Sequence, residues 1–308
     1  MGQRTPQPCL RVSGFLVPRL MVLLVLILLG RVLPAAGQSV PSPDAAEPAR
    51  RGEYLFRASG GCGCHTDHPA KGAFLAGGRP VHSPYGNFRS TNITPDPETG
   101  LGRWSEADFI RAMTLGIGPK GQHYFPVFPY TSFTRMRRSD LSDLWAYLRT
   151  VPAVRRENQP HEVAPPYGWR FPLPGWKWLY FHPGELPWEP ERSAAWNRGA
   201  YLVLSVGHCG ECHSPRTVMG GLRRSRVLAG GVWGPEDVIA ANLTPHPSRG
   251  LGKWSLKDIS WLLKTGFKPD GENVQAVMGE MIDEGYSYLT DGDLQAIAEY
   301  VRALPPQP

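Results

Sequence analysis

Residues 209–213 read Cys209-Gly210-Glu211-Cys212-His213. Two cysteines three positions apart on one helical turn point their sulfurs to the same side. There they can form thioethers with the two vinyl groups of a haem, and the histidine that follows can turn its imidazole under the iron. A redox Cys-x-x-Cys pair needs no such histidine, and a zinc site needs a second cysteine pair close by. Residues 61–65 read Gly61-Cys62-Gly63-Cys64-His65, the same pattern one residue short. On a regular helix Cys62 and Cys64 would point about 200° apart. Three arrangements are open. Irregular backbone, permitted by Gly60, Gly61 and Gly63, brings both sulfurs to one haem. Alternatively Cys64 holds the haem alone, with Gly61 at the place of the missing cysteine. In the third, the site holds no haem.

An electron-carrying haem iron takes a sixth ligand, usually methionine, whose thioether raises the potential. After His213 the choices are Met219, Met278 and Met281. Met219 is too close to its own histidine to reach the opposite face of a haem. Met278 and Met281 are expected in a loop before the last helix, one as ligand and the other as packing. After His65 come Met113 and Met136. Met113 lies on a predicted helix, where methionine is more often core filler. Met136, just before the next helix, is the candidate, with His123 as its rival.

The elements that must hold these residues occur twice. Residues 91–105 (TNITPDPETGLGRWS) align without a gap to 241–255 (ANLTPHPSRGLGKWS). Arg51-Gly52-Glu53-Tyr54-Leu55 matches Arg198-Gly199-Ala200-Tyr201-Leu202, and Cys64-His65 matches Cys212-His213. Ser105 and Ser255 each stand three residues before an aspartate, a helix-start signal. Ser139–Arg149 and Thr290–Ala303 show helical apolar spacing. No run reads as a sheet. The expectation is an all-α fold: two homologous domains at 46–152 and 194–308, joined by a segment at 153–193. That segment holds Trp169, Trp176, Trp178 and Trp188. So many large apolar side chains are expected to pack in extended form along the domain boundary. A partner-docking surface is the alternative.

Residues 1–37 differ in kind. Arg4, Arg11 and Arg19 precede the apolar run 20–30, and Ala35-Ala36-Gly37 follows. This is the order of an export signal, with a core short for a membrane span. Signal peptide and uncleaved N-terminal anchor are the two readings. The leader holds four arginines and no acid, so its removal lowers the formal net charge from +6 to +2. The basic pI therefore gives no argument for nucleic-acid binding. Export places the cysteines where disulfides can form. Apart from Cys9 in the leader, all of them lie in the two motifs, which leaves none for a structural disulfide.

The segments GGCGCHTD, TNITPDPETGLGRWSEADF, YFPVFPYTSFTRM, NRGAYLV, HCGECHSPR and ANLTPHPSRGLGKWS resemble the dihaem c-type cytochromes that serve as electron-transfer subunits of bacterial periplasmic dehydrogenases. The multihaem cytochrome subunits of alcohol, gluconate and sorbitol dehydrogenases are close in pattern. The resemblance covers about residues 48–305. It implies two haem c groups, attached through Cys62, Cys64, Cys209 and Cys212. It implies His65 and His213 as proximal iron ligands, with Met136 and Met278 as distal ones. Met278 is preferred to Met281 because the family's Gly-x-Met-x-Glu segment places its methionine there. Many relatives carry Pro-Ala-Met-Pro-Tyr where this chain has Pro126-Val127-Phe128-Pro129-Tyr130, and here Met136 stands in for the absent methionine. The implied role is one-electron transfer in the periplasm, from a dehydrogenase to another cytochrome or a terminal oxidase, with membrane association possible through the N-terminus. The alternative from another class is a dihaem peroxidase with one open iron position.

Overall fold

Each copy of the repeat builds a crossed pair of helices. In the computed structural model, which describes residues 47–232 and 239–308, α1 (Pro48–Ala58) crosses α4 (Arg138–Leu148). In the second copy α6 (Ala194–Tyr201) crosses α10 (Asp291–Arg302). Both crossings turn on a glycine. A Cβ on Gly52 would stand 1.9 Å from the Asp143 carbonyl oxygen, and one on Gly199 would stand 1.9 Å from that of Ala296. The backbones touch there, so only glycine fits. The leader expected at 1–37 lies outside the described residues. Among the described residues no helix is long and apolar enough to cross a membrane.

The helix that follows the repeated tryptophan begins as expected. It is α2 (Glu106–Leu115) in the first copy and α8 (Leu256–Thr265) in the second. Ser105 and Ser255 each close a reciprocal capping box with the aspartate three residues on, Asp108 or Asp258. Both helices end on a left-handed glycine, Gly116 or Gly266. α9 (Ala276–Glu284) carries Met278 and Met281, so these two methionines stand on a helix rather than in the expected loop.

The all-α expectation is corrected by two small sheets. β1 (Pro80–Ser83) pairs antiparallel with β2 (Gly86–Arg89), and β2 pairs with β3 (Glu162–Val163). In the second copy β4 (Ala229–Val232) pairs antiparallel with β5 (Ile239–Asn242). The strands are short, and the sequences PVHS, GNFR, AGGV and IAAN lack the alternation of apolar and polar residues that betrays a strand. Helices still carry most of the regular structure.

The segment between the copies is also not what its composition suggests. It contains β3 and a helix, α5 (Leu173–Tyr180), rather than extended chain alone. Trp169, Trp178 and Trp188 are exposed, Trp178 by 82%. Only Trp176 is half-buried, with its indole N–H donating to the Met219 carbonyl at 2.7 Å. Leu173 and the stem of Lys177 are the buried side of α5.

The two copies share one apolar core, which runs from Leu55 and Phe56 through Leu141 and Leu144 to Val203, Leu294 and Val301. Polar contacts across it obey a two-fold rule. The Tyr54 hydroxyl donates to Asp293 at 2.6 Å and accepts from the Thr290 N–H at 3.2 Å. Its repeat partner, the Tyr201 hydroxyl, donates to Asp140 at 2.6 Å and accepts from the Arg137 N–H at 3.1 Å. Each tyrosine thus caps the last helix of the other copy. The face used by one copy is the face used by the other, as in an isologous dimer interface.

Candidate functional site

His65 and His213 are held alike. His65 Nδ1 lies 2.7 Å from the Thr91 carbonyl oxygen, and His213 Nδ1 lies 2.7 Å from that of Ala241. A carbonyl only accepts, so both Nδ1 atoms carry the hydrogen and both Nε2 atoms keep a free lone pair. Burial holds both imidazoles below their ordinary proton affinity, outweighing the backbone bond that opposes it. A neutral imidazole with Nδ1–H fixed and Nε2 open is the form that binds a metal.

The repeated Asn-x-Thr-Pro block supplies the orienting carbonyl. Asn92 Oδ1 accepts from the Thr94 N–H at 3.0 Å and from its hydroxyl at 2.7 Å. Asn242 does the same for Thr244, at 2.8 and 2.7 Å. The asparagine amide then ties down the chain beyond the last helix, on Val154 in one copy and Gln307 in the other. The turn is therefore anchored at both ends, and the residue just before the asparagine, Thr91 or Ala241, presents its carbonyl to the histidine.

The four described cysteines are free thiols. Burial pushes Cys62 and Cys209 up to about 11 and Cys212 up to about 12. A redox-active Cys-x-x-Cys has the opposite property, a depressed thiol. Cys209 opens the turn Gly210–His213, as the spacing requires. In the first copy the residues Gly60–His65 form a 3-10 turn broken by left-handed backbone at Gly60, Gly61 and Cys62, with φ of 76°, 68° and 49°. The regular-helix geometry that would splay Cys62 from Cys64 does not apply.

Cys62 and Cys209 both pack against the shared apolar core, so the first cysteine of each motif has a like setting.

Met136 is buried in the core, 1% exposed. Met113 is also buried, on α2 as expected of core filler. His123 is half-buried and has no hydrogen-bond partner at Nδ1. Met278 and Met281 both flank the core. They differ in one respect: Met281 packs its methyl on Gly60 of the first motif, where a Cβ would meet it at 2.5 Å. Met219 is exposed.

Three polar features were not singled out by the sequence. Glu211, inside the second motif, is buried and accepts from the Thr131 and Ser132 hydroxyls, both at 2.6 Å, and from Arg216 at 2.7 Å. Arg79, which is buried beside the first motif, forms a forked pair with Glu280 at 2.5 and 3.2 Å. Tyr54 and Tyr201 form the third. The repeat offset linking Tyr54 to Tyr201 and Asp140 to Asp293 was the available signal for these tyrosines.

No family model matches the chain. A protein named as a dihaem c-type cytochrome from Cereibacter sphaeroides is 37% identical over 283 residues, covering 88% of this chain and 94% of that protein. The chain belongs to the dihaem c-type cytochromes. This cytochrome is also 41% identical over 282 residues to a nicotinate dehydrogenase subunit of Pseudomonas putida, of which it spans 23%. It is 36% identical over 287 residues to a fructose dehydrogenase cytochrome subunit of Gluconobacter japonicus, of which it spans 58%. The cytochrome therefore covers less than two thirds of these last two relatives. A haem is the group to which its residues must be fitted, and two neutral histidines with open Nε2 atoms, each just after a free cysteine, fit it. This cytochrome is an electron-transfer protein rather than a catalytic subunit.

Proposed function

We propose that the chain holds two covalently attached haem c groups and passes electrons singly, from a periplasmic dehydrogenase to a downstream cytochrome or terminal oxidase. The reading extends to two haem domains at 46–152 and 194–308 joined by 153–193, and to a leader at 1–37 that exports the chain or anchors it to the inner membrane. The observation that carries the reading is the matched pair of histidines, both fixed at Nδ1 by the residue before Asn-x-Thr-Pro.

Haem iron supplies a one-electron couple between its ferric and ferrous states. The chain's own part is to hold and shield that iron. His65 and His213 would hold the iron through Nε2. Met136 and Met278 would supply thioethers to it. Cys62, Cys64, Cys209 and Cys212 offer sulfurs for attachment, and left-handed backbone at Cys62 compensates for the lost residue. The apolar core around Met136 keeps water out and lowers the local dielectric, which raises the potential of a methionine-ligated iron.

Mass spectrometry of protein matured with haem-attachment factors tests this. The expected mass carries two haems, with the peptide across residues 61–65 modified at both cysteines. A mature mass with one haem and an unmodified 61–65 peptide refutes the two-haem reading.

A further inference from the structure

Each half's attachment segment touches the segment that carries the other half's methionine. In the first half, Met136 follows α3 (Tyr130–Phe133). Thr131 and Ser132 on α3 donate to Glu211 of the second motif, both at 2.6 Å. Arg216 holds the same residue from behind, donating to its carboxylate Oε2 at 2.7 Å and to its backbone carbonyl at 2.8 Å. The Phe133 ring meets the His208 ring edge-on at 5.3 Å, just before Cys209.

The reverse contact is built from different residues. α9 carries Met278 and lies against the turn Gly60–His65. Arg79 donates to Glu280, two residues past Met278, and weakly to the Gly63 carbonyl inside the first motif. Arg57 donates to the Glu284 carbonyl at 2.8 Å. His68 Nε2 lies 2.7 Å from Glu284 Oε1. Gly285 packs on Gly60 so closely that a Cβ on Gly285 would stand 2.5 Å from the Gly60 Cα.

We propose that the distal methionines are positioned in trans: Glu211 of the second motif holds the Met136 segment, and Arg79 beside the first motif holds the Met278 helix. This rests on the haem and ligand assignments proposed above. Glu211 and Arg79 are positioning residues, since neither is offered as an iron ligand. A substitution at one attachment segment therefore disturbs the ligation of the other iron. The bonds concerned involve charged groups, the class whose loss costs most.

The test uses the fully matured, reduced protein and nuclear magnetic resonance. A methionine on a low-spin ferrous haem gives a methyl signal shifted far upfield by the ring current. Wild type is expected to show two, assigned by Met136→His and Met278→His, each of which deletes one. Absence of two signals in wild type would overturn the ligand assignment itself, whatever the variants do. With both present, Arg79→Gln is expected to broaden or abolish the Met278 signal and spare that of Met136. Glu211→Gln is expected to do the opposite. Arg79→Lys and Glu211→Asp should restore part of the lost intensity. If Glu211→Gln does not mature, Thr131→Ala with Ser132→Ala removes the other ends of the same bonds and should again strike Met136. The proposal falls if each variant disturbs its own half, if both signals fade together, or if neither moves.

Discussion

Lys177 is a cation in a place that disfavours one. Burial pulls its ammonium down to about 8. It donates to the Leu115 and Gly116 carbonyls at 2.6 and 2.9 Å and lies 4.7 Å above the Tyr130 ring, contacts that offset part of the cost. Between pH 8 and the ordinary lysine value of 10.5, the unfolded chain binds this proton and the folded one does not, so stability rises with pH across that window. The range available is at most about 3 kcal/mol. Relative to wild type, Lys177→Met should be most favourable near pH 7 and should lose that relative advantage as pH rises from 8 to 10. Urea unfolding of both proteins across that range checks it, and a constant difference defeats it. At this scale the matched histidines were legible, because each directly follows a cysteine in the repeated pattern. Glu211 was not, since in sequence it is only a spacer between two cysteines. Its burial needs Thr131 and Ser132, which lie 80 and 79 residues away. Cys62 was half-legible: the glycines permitted a bend, but only the observed left-handed φ shows where it falls.

Among the elements, the capped helices of the repeat were legible, whereas α5, α9 and the strands were not. Ser105 and Ser255 announce α2 and α8 through side-chain caps that act within four residues, and such local physics survives folding intact. The hairpin β1–β2 carries its signal in the turn Ser83-Pro84-Tyr85-Gly86 rather than in its strands. The methionine helix α9 lacked a side-chain cap on Gln275, which is why it passed for a loop. Element energetics give a graded prediction. Ser255→Ala removes one cap and should cost about 1 kcal/mol. Gly199→Ala drives a methyl into the Ala296 carbonyl where α6 crosses α10, and should cost more, about 3 kcal/mol. Urea midpoints of the two variants rank them, and the reverse order would mean that the helix crossing can open at little cost.

For the whole molecule, the repeat was legible and its two-fold assembly was not. A repeat found in sequence says that two copies resemble each other. It does not say which faces meet, because contacts between copies leave no periodic pattern. The hydroxyls of Tyr54 and Tyr201 each bridge to a carboxylate and a helix N-terminus of the other copy. Replacing both with phenylalanine removes two charged hydrogen bonds, each worth about 1.5–3 kcal/mol. Wild type should unfold in one urea transition, and the double variant should separate into two as the copies uncouple. An unchanged single transition at the wild-type midpoint would assign the coupling to the apolar core instead. The same cross-capping sets an order of assembly. Tyr54 lies on α1 and Asp293 on α10, 239 residues apart. A chain is made from its N-terminus, so Tyr54 and the motif beside it emerge long before the acid that will hold them. The first copy waits, half-buttressed, through synthesis of the second, and only α10 can lock both into place.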